Sequence, residues 1–219
     1  VNSTHGVNLE GIEAIIFDMD GTLVDSEIYT IRAIEELTRE AGLSGSRVQP
    51  DDVYGVTWDV VSERVLEAFP ELGSDSVSLA LQRHFRAISQ QDGCALIPGS
   101  DAYFAIVSRE VKVGLYTSNV RAAVTHLLGE HTCFEGLDTI VTSEDVTESK
   151  PSPQGYLLAA QRLGVQPERC LVFEDSTAGL KAARAAGMRT VGVTHRCADL
   201  GAVQALAGQT ISDYRALLN

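Results

Sequence analysis

Ala14-Ile15-Ile16-Phe17-Asp18-Met19-Asp20-Gly21-Thr22-Leu23-Val24-Asp25-Ser26-Glu27 starts with an apolar run and then sets two acids two positions apart before a glycine. A short continuous apolar run followed by turn residues reads as a strand buried on both faces. Residues i and i+2 of an extended chain point the same way, so Asp18 and Asp20 are expected to project into one cleft where that strand ends. Open α/β folds bind ligands at that carboxyl edge. Gly21 lets the chain turn there at low steric cost. One carboxylate could attack a substrate or hold a metal while the other moves a proton.

Working outward, strands are expected at Ala14 to Phe17, Val111 to Tyr116, Thr139 to Val141, Cys170 to Phe173 and Thr190 to Val193. Helices are expected near Asp101 to Ser108, Val120 to Leu128, Gln154 to Leu163 and Thr177 to Ala186, the last with Gly187 at its C′ position. Ser152 is expected to cap the Gln154 helix and Pro153 to start it. A short strand near Thr210 to Ile211 and a terminal helix from Asp213 close the pattern. Alternation of this kind predicts an α/β fold, a doubly wound Rossmann-like parallel sheet with helices on both faces. From Ile28 to Leu96 the periodicity is helical instead, with Ile28, Ile31, Ile34 and Leu37 in one set and Val77, Leu81, His84/Phe85 and Ile88 in another. The expected domains are therefore an α/β core of residues 1–27 and 97–219 and an inserted helical domain of residues 28–96. The two crossings, with Pro98-Gly99 at the second, are candidate hinges.

The string Asp18 to Glu27 after Ile15-Ile16-Phe17 resembles the first motif of the haloacid dehalogenase-like (HAD) hydrolases, in the branch with a helical cap between this motif and the rest of the core. Three more motifs follow in the family's order. They are Thr117-Ser118-Asn119 at a strand tip, Lys150 in Ser149-Lys150-Pro151-Ser152-Pro153, and Glu174-Asp175-Ser176 after Cys170 to Phe173. The resemblance implies that Asp18 is the nucleophile that forms an aspartyl-phosphate, and that Asp20 is the general acid and then base. It implies that Thr117 hydrogen-bonds a phosphoryl oxygen, with Gly21, Thr22, Ser118 and Asn119 in the phosphate-binding set. Lys150, one of three lysines in the chain, offsets the charge that gathers there. Mg²⁺ is the implied cofactor, held by Asp18, Asp175 and the main-chain carbonyl of Asp20, with Glu174 as a further or outer contact.

The function implied is a phosphatase acting on a small phosphate monoester such as a sugar phosphate. Dehalogenating members lack the second acid, which is present here as Asp20, and phosphonate-cleaving members use a cap lysine, whereas residues 28–97 contain none. A β-phosphoglucomutase-like activity is the alternative. Mutases carry an arginine after a Gly-Val-Ser-like cap loop and a lysine just beyond the second motif, where this chain has Trp58 and Val120. A HAD-fold binding protein without turnover is a third reading, opposed by the presence of Asp18, Asp20, Lys150 and Asp175. Tyr54, Thr57 and Trp58 are candidates to face a sugar ring, although a lone Trp in a small helical bundle as readily fills the bundle's own core.

The chain has 219 residues, 44% of them apolar, and a formal net charge of −13. That length supports a substantial core, and the acidic balance argues against nucleic-acid or anionic-membrane partners. No apolar run is long enough to span a bilayer, and the polar stretch Val1 to Leu9 has no signal-peptide pattern. Cys94, Cys133, Cys170 and Cys197 form no CxxC pair, so a reducing cytoplasm is expected. The resemblance implies a monomer.

Overall fold

In the computed structural model, residues 6–43, 45, 47–53, 58–73, 77–93, 95–197 and 199–218 are described. Their strands are β1 (Ala14–Phe17), β2 (Lys112–Tyr116), β3 (Thr139–Val141), β4 (Cys170–Glu174), β5 (Arg189–Val193) and β6 (Gln209–Ile211). They form one parallel sheet in the order β3-β2-β1-β4-β5-β6. β1 is central, with Phe17 beside Leu115 on one side and Phe173 on the other. The strand order reverses at β1, which makes its carboxyl end the switch point where such sheets bind ligands.

Alternation along β1 sends Ala14 and Ile16 to one face and Ile15 and Phe17 to the other. The first face packs under α7 (Gln154–Leu163) and α8 (Thr177–Ala185), with Tyr116, Tyr156, Ala159, Ala182 and Met188 in one buried cluster. On the second face Phe17 stacks on Phe173 at 5.2 Å and meets Phe104 at 6.0 Å, while Tyr103 and Tyr214 extend the aromatic layer. Phe104 belongs to α5 (Ser100–Val107), and α6 (Arg121–Glu130) follows β2. α9 (Leu200–Leu206), which the periodicity does not single out, begins at an Asp199 cap. The chain ends in a 3₁₀ turn over Tyr214–Leu217 where a terminal helix was expected. Within this single short turn Tyr214 already packs on Phe17, Tyr103 and Phe173, so no longer helical repeat is needed to place it. α7 has the expected span Gln154–Leu163, but Pro153 stands at the cap position instead of the first helical one, and Ser152 Oγ accepts from the Gln154 N–H only at 3.4 Å.

The chain divides into two units, Val1–Asp25 with Leu96–Asn219, and Ser26–Ala95. The second contains α1 (Glu27–Glu40), α2 (Pro50–Val53), α3 (Trp58–Ala68) and α4 (Val77–Asp92). Ile34, Val61, Val65, Phe69 and Leu81 form its core, and Trp58 meets Phe85 edge-on at 5.2 Å while packing against that core. Tyr54 and Thr57 lie outside the described residues. Among the described residues no helix is long and apolar enough to cross a membrane.

Gly155 illustrates how tightly the first sheet face is packed. A Cβ there would lie 2.0 Å from the Tyr116 ring. Gly155→Ala should therefore lower stability by about 1–3 kcal/mol through overpacking, read as a lower urea midpoint at unchanged slope.

Candidate active site

Three strand tips converge at the carboxyl edge of the sheet. The Asp18 N–H donates to the Phe173 carbonyl at 3.0 Å, which extends the β1–β4 ladder and sets Asp18 beside Glu174. The Thr117 N–H donates to the Val141 carbonyl at 3.1 Å and extends the β2–β3 ladder in the same way. Asp18, Thr117 and Glu174 are accordingly buried at 6%, 1% and 1% exposure, while Ser118 and Asn119 stand in the exposed turn beyond.

Lys150 reaches this edge from the loop before α7. Its Nζ donates to Asp18 Oδ1 at 2.5 Å and to Glu174 Oε1 at 2.6 Å, with only 7% of the side chain exposed. The ammonium lies 4.9 Å from the Tyr116 ring centre and 5.5 Å from that of Tyr156, two rings that pack edge-on. Burial alone would push the Lys150 ammonium down, but Asp18 and Glu174 hold it well above its ordinary value. For Asp18, burial is the largest influence and raises the carboxyl. Lys150 pulls it back, Glu174 and Asp20 raise it again, and the result is about 7.

Glu174 is fixed from its other oxygen as well. Oε2 accepts from the Ser176 N–H at 2.6 Å and from the Ser176 hydroxyl at 2.9 Å, and Ser176 Oγ in turn accepts from the Gly179 N–H at the start of α8. Two glycines clear space for carboxylates. A Cβ on Gly179 would sit 1.8 Å from Glu174 Oε1, and one on Gly21, whose φ is +72°, would sit 2.1 Å from Asp175 Oδ2. Gly21 therefore serves a close approach as well as a turn.

Asp18, Glu174 and Asp175 each bring a carboxylate oxygen within 4.8 Å of the others. Oxygen donors in this number suit a hard divalent cation. The charge balance agrees, because four carboxylates (Asp18, Asp20, Glu174, Asp175) gather around one lysine. A cation in this cluster would also draw the Asp18 carboxyl back down and keep it ionised near neutrality.

Asp20 turns out of the strand line and is more exposed than Asp18. Its Oδ2 accepts from the Asn119 side-chain amide at 2.7 Å. Asn119 is itself set by Thr117 Oγ1, which accepts its N–H at 3.0 Å, and by Ser143, which donates to its carbonyl from both N–H and hydroxyl. The Thr22 side chain is fully buried, and its hydroxyl has no hydrogen-bond partner among the described residues. Thus Asp18, Asp20, Gly21, Thr117, Asn119, Lys150, Glu174 and Asp175 meet at one edge of the core unit, with Ser118 and Thr22 adjoining in sequence. Trp58 belongs to the helical unit and is packed within it. Sequence reasoning missed the Tyr116–Tyr156 shelf under Lys150 and the Asn119–Asp20 bond. The available signals were Gly155 and Gly179, which stand in helical turns where glycine costs helix stability and so points to a close neighbour.

The family model for haloacid dehalogenase-like hydrolases matches residues 12–187. Fructose-1-phosphate phosphatase YqaB of Escherichia coli K12 is 34% identical, over 84% of this chain and 97% of its own length. A Thermotoga maritima structure provisionally named β-phosphoglucomutase is 28% identical, with a TM-score of 0.78 over 95% of this chain and 97% of that one. A Deinococcus radiodurans HAD family hydrolase with bound phosphate and sodium is 26% identical, with a TM-score of 0.79 over 94% and 93%. The four motifs, their convergence at the switch point and these likenesses agree, and the chain belongs to the haloacid dehalogenase-like hydrolase family.

Proposed function

We propose that this chain is a Mg²⁺-dependent phosphatase that hydrolyses a small phosphate monoester, a sugar phosphate or a metabolite of similar size, through an aspartyl-phosphate on Asp18. The observation that carries the reading is the buried Lys150 ammonium shared by Asp18 and Glu174 beside Asp175. A phosphate dianion repels a carboxylate nucleophile, so a site for this chemistry must hold cations against its own acids. Asp18, Glu174, Asp175 and the main-chain carbonyl of Asp20 would hold Mg²⁺, which when bound supplies charge neutralisation at the phosphoryl oxygens.

Within that frame the chain's own groups divide the work. Lys150 and Ser176 anchor Glu174, and Lys150 aims one Asp18 oxygen. The other Asp18 oxygen attacks phosphorus in line with the leaving oxygen. Asp20, with Oδ2 accepting from Asn119, gives its proton from Oδ1 to the leaving alcohol. The same carboxylate then takes a proton from the water that resolves the aspartyl-phosphate. Thr117 and the turn Ser118-Asn119 line the phosphate position. The sugar-phosphate class rests on the relative named for fructose 1-phosphate. In this reading the helical unit is the cap, and Trp58 offers an aromatic face to the substrate ring.

The likeness to the Thermotoga structure favours a phosphosugar mutase as the second reading. The absence of arginine at position 58 and of lysine at position 120 supports the phosphatase, since a mutase must grip a second phosphate.

Phosphate release across a panel of sugar phosphates and phosphoglycolate, with β-glucose 1-phosphate followed to glucose 6-phosphate, separates them. Free phosphate from one or a few esters, abolished by EDTA, is expected, and isomerised glucose phosphate with little release assigns the mutase. Asp18→Asn should lower kcat by more than about 1,000-fold with the fold retained. Trp58→Ala should raise KM for the preferred sugar phosphate by about tenfold at near-constant kcat, whereas a lower Tm at unchanged KM assigns Trp58 to packing alone.

The raised Asp18 carboxyl sets the pH dependence of metal binding. Below about pH 7 it is protonated in the metal-free protein, and Mg²⁺ must displace that proton. Mg²⁺ affinity by calorimetry should fall up to about tenfold per unit as pH drops below 7 and level off above 8. Asp18→Asn should flatten this slope.

A further inference from the structure

The turn after β5 lies outside the motifs, yet it touches two of the loops that carry the acids. Thr194 anchors it, donating from its N–H and hydroxyl to the Ile211 carbonyl at 2.8 and 3.1 Å. Arg196 Nε reaches both oxygens of Asp25, at 2.7 and 2.8 Å, and His195 Nε2 stands 3.5 Å from Asp25 Oδ2. The Cys197 thiol faces the Asp175 carbonyl at 3.9 Å. Asp25 is 6% exposed, so its charge is withdrawn from water and is compensated by this turn.

Asp25 closes the loop that begins at Asp18. The Gly21 N–H donates to the Val24 carbonyl at 2.8 Å, Asp20 bridges Val24, and Val24 bridges Leu96. The position of Asp25 therefore passes through Val24 to Gly21 and Asp20 in consecutive contacts. Gly21 also carries the Asp175 carboxylate against its Cα. One turn thus holds the far end of the β1 loop and the backbone of the β4 loop, the two segments that must stay in register for Asp18 and Asp175 to share a cation.

We propose that Arg196 is a positioning residue: through Asp25 it fixes the β1 loop against the β4 loop and so sets the spacing of the Asp18, Asp20 and Asp175 carboxylates. In this role Arg196 acts through the Asp25 carboxylate. Its effect reaches metal affinity and the chemical step, and leaves uniform substrate binding largely alone. The kinetic part of this inference rests on the phosphatase reading, and the metal-binding part does not.

The test compares Arg196→Ala, Arg196→Lys and Asp25→Asn with the wild-type protein by Mg²⁺ calorimetry and by kcat and KM, each variant checked for folding by thermal melting. Arg196→Ala is expected to lose about 10- to 100-fold in Mg²⁺ affinity and in kcat, with KM within about threefold, and Arg196→Lys to recover part of both losses. Should Arg196→Ala not fold, the double variant Asp25→Asn/Arg196→Gln removes both charges and keeps a hydrogen-bonded pair. It is expected to melt near wild type and still lose Mg²⁺ affinity. A folded Arg196→Ala or double variant with Mg²⁺ affinity within about twofold of wild type, whatever its melting temperature, overturns the proposal. A wild-type protein that releases phosphate from no ester overturns the phosphatase reading alone, because the calorimetric comparison still decides the brace.

Discussion

A single buried ammonium holds the acidic edge of this sheet together. Asp18 and Glu174 sit side by side at the tips of adjacent parallel strands, and β-sheet geometry gives them no freedom to part. Two carboxylates so placed, and both withdrawn from water, would repel each other and favour protonation. Lys150 bonds one oxygen of each and turns that repulsion into a bridged arrangement. The bridge in turn imposes demands on the chain around it. The lysine stem must be buried, so aromatic rings of Tyr116 and Tyr156 flank it. Tyr116 needs the space over Gly155, and Glu174 needs the space over Gly179.

The same bridge explains why one lysine is insufficient for the chemistry. With Lys150 in place Asp18 still titrates near neutrality, because burial, Glu174 and Asp20 outweigh it. A further cation is what the donor set is suited to accept, and its binding would complete the charge balance of the cluster. The overall charge of −13 gives no help at long range, so attraction of an anionic substrate must be local.

Most of the core unit was legible in the sequence for a simple reason. Its central strands are buried on both faces, and Ala14 to Phe17 and Cys170 to Phe173 show this as unbroken apolar runs. Asp18 and Glu174 follow such runs directly, with Asp20 and Asp175 within two positions of them, so their place at the carboxyl edge could be read with the strands. α9 was illegible because Leu200-Gly201-Ala202-Val203 is short, weakly periodic and interrupted by glycine. The 3₁₀ turn at Tyr214 gave the same signal as a helix start, an Asp cap before apolar residues, and only the packing of Tyr214 on Phe17 and Phe173 decides its length. The braces of the site were hidden for another reason. Asn119 to Asp20, Arg196 to Asp25 and Lys150 over Tyr116 join residues far apart in sequence, and local pattern carries no trace of such pairing. The role of Lys150 was available only through the resemblance of its Lys-Pro string to a family motif.

All of these braces arise within the core unit. Lys150 comes from the loop after β3, Asn119 from the loop after β2, Ser176 from the loop after β4 and Arg196 from the turn after β5. The helical segment Ser26–Ala95 is inserted between β1 and β2, yet it contributes none of the hydrogen bonds that fix Asp18, Asp20 or Glu174 described above. Arg196, Asn119 and Gly179 all bear on the acidic cluster from within the core unit, through Asp25, Asp20 and Glu174 respectively.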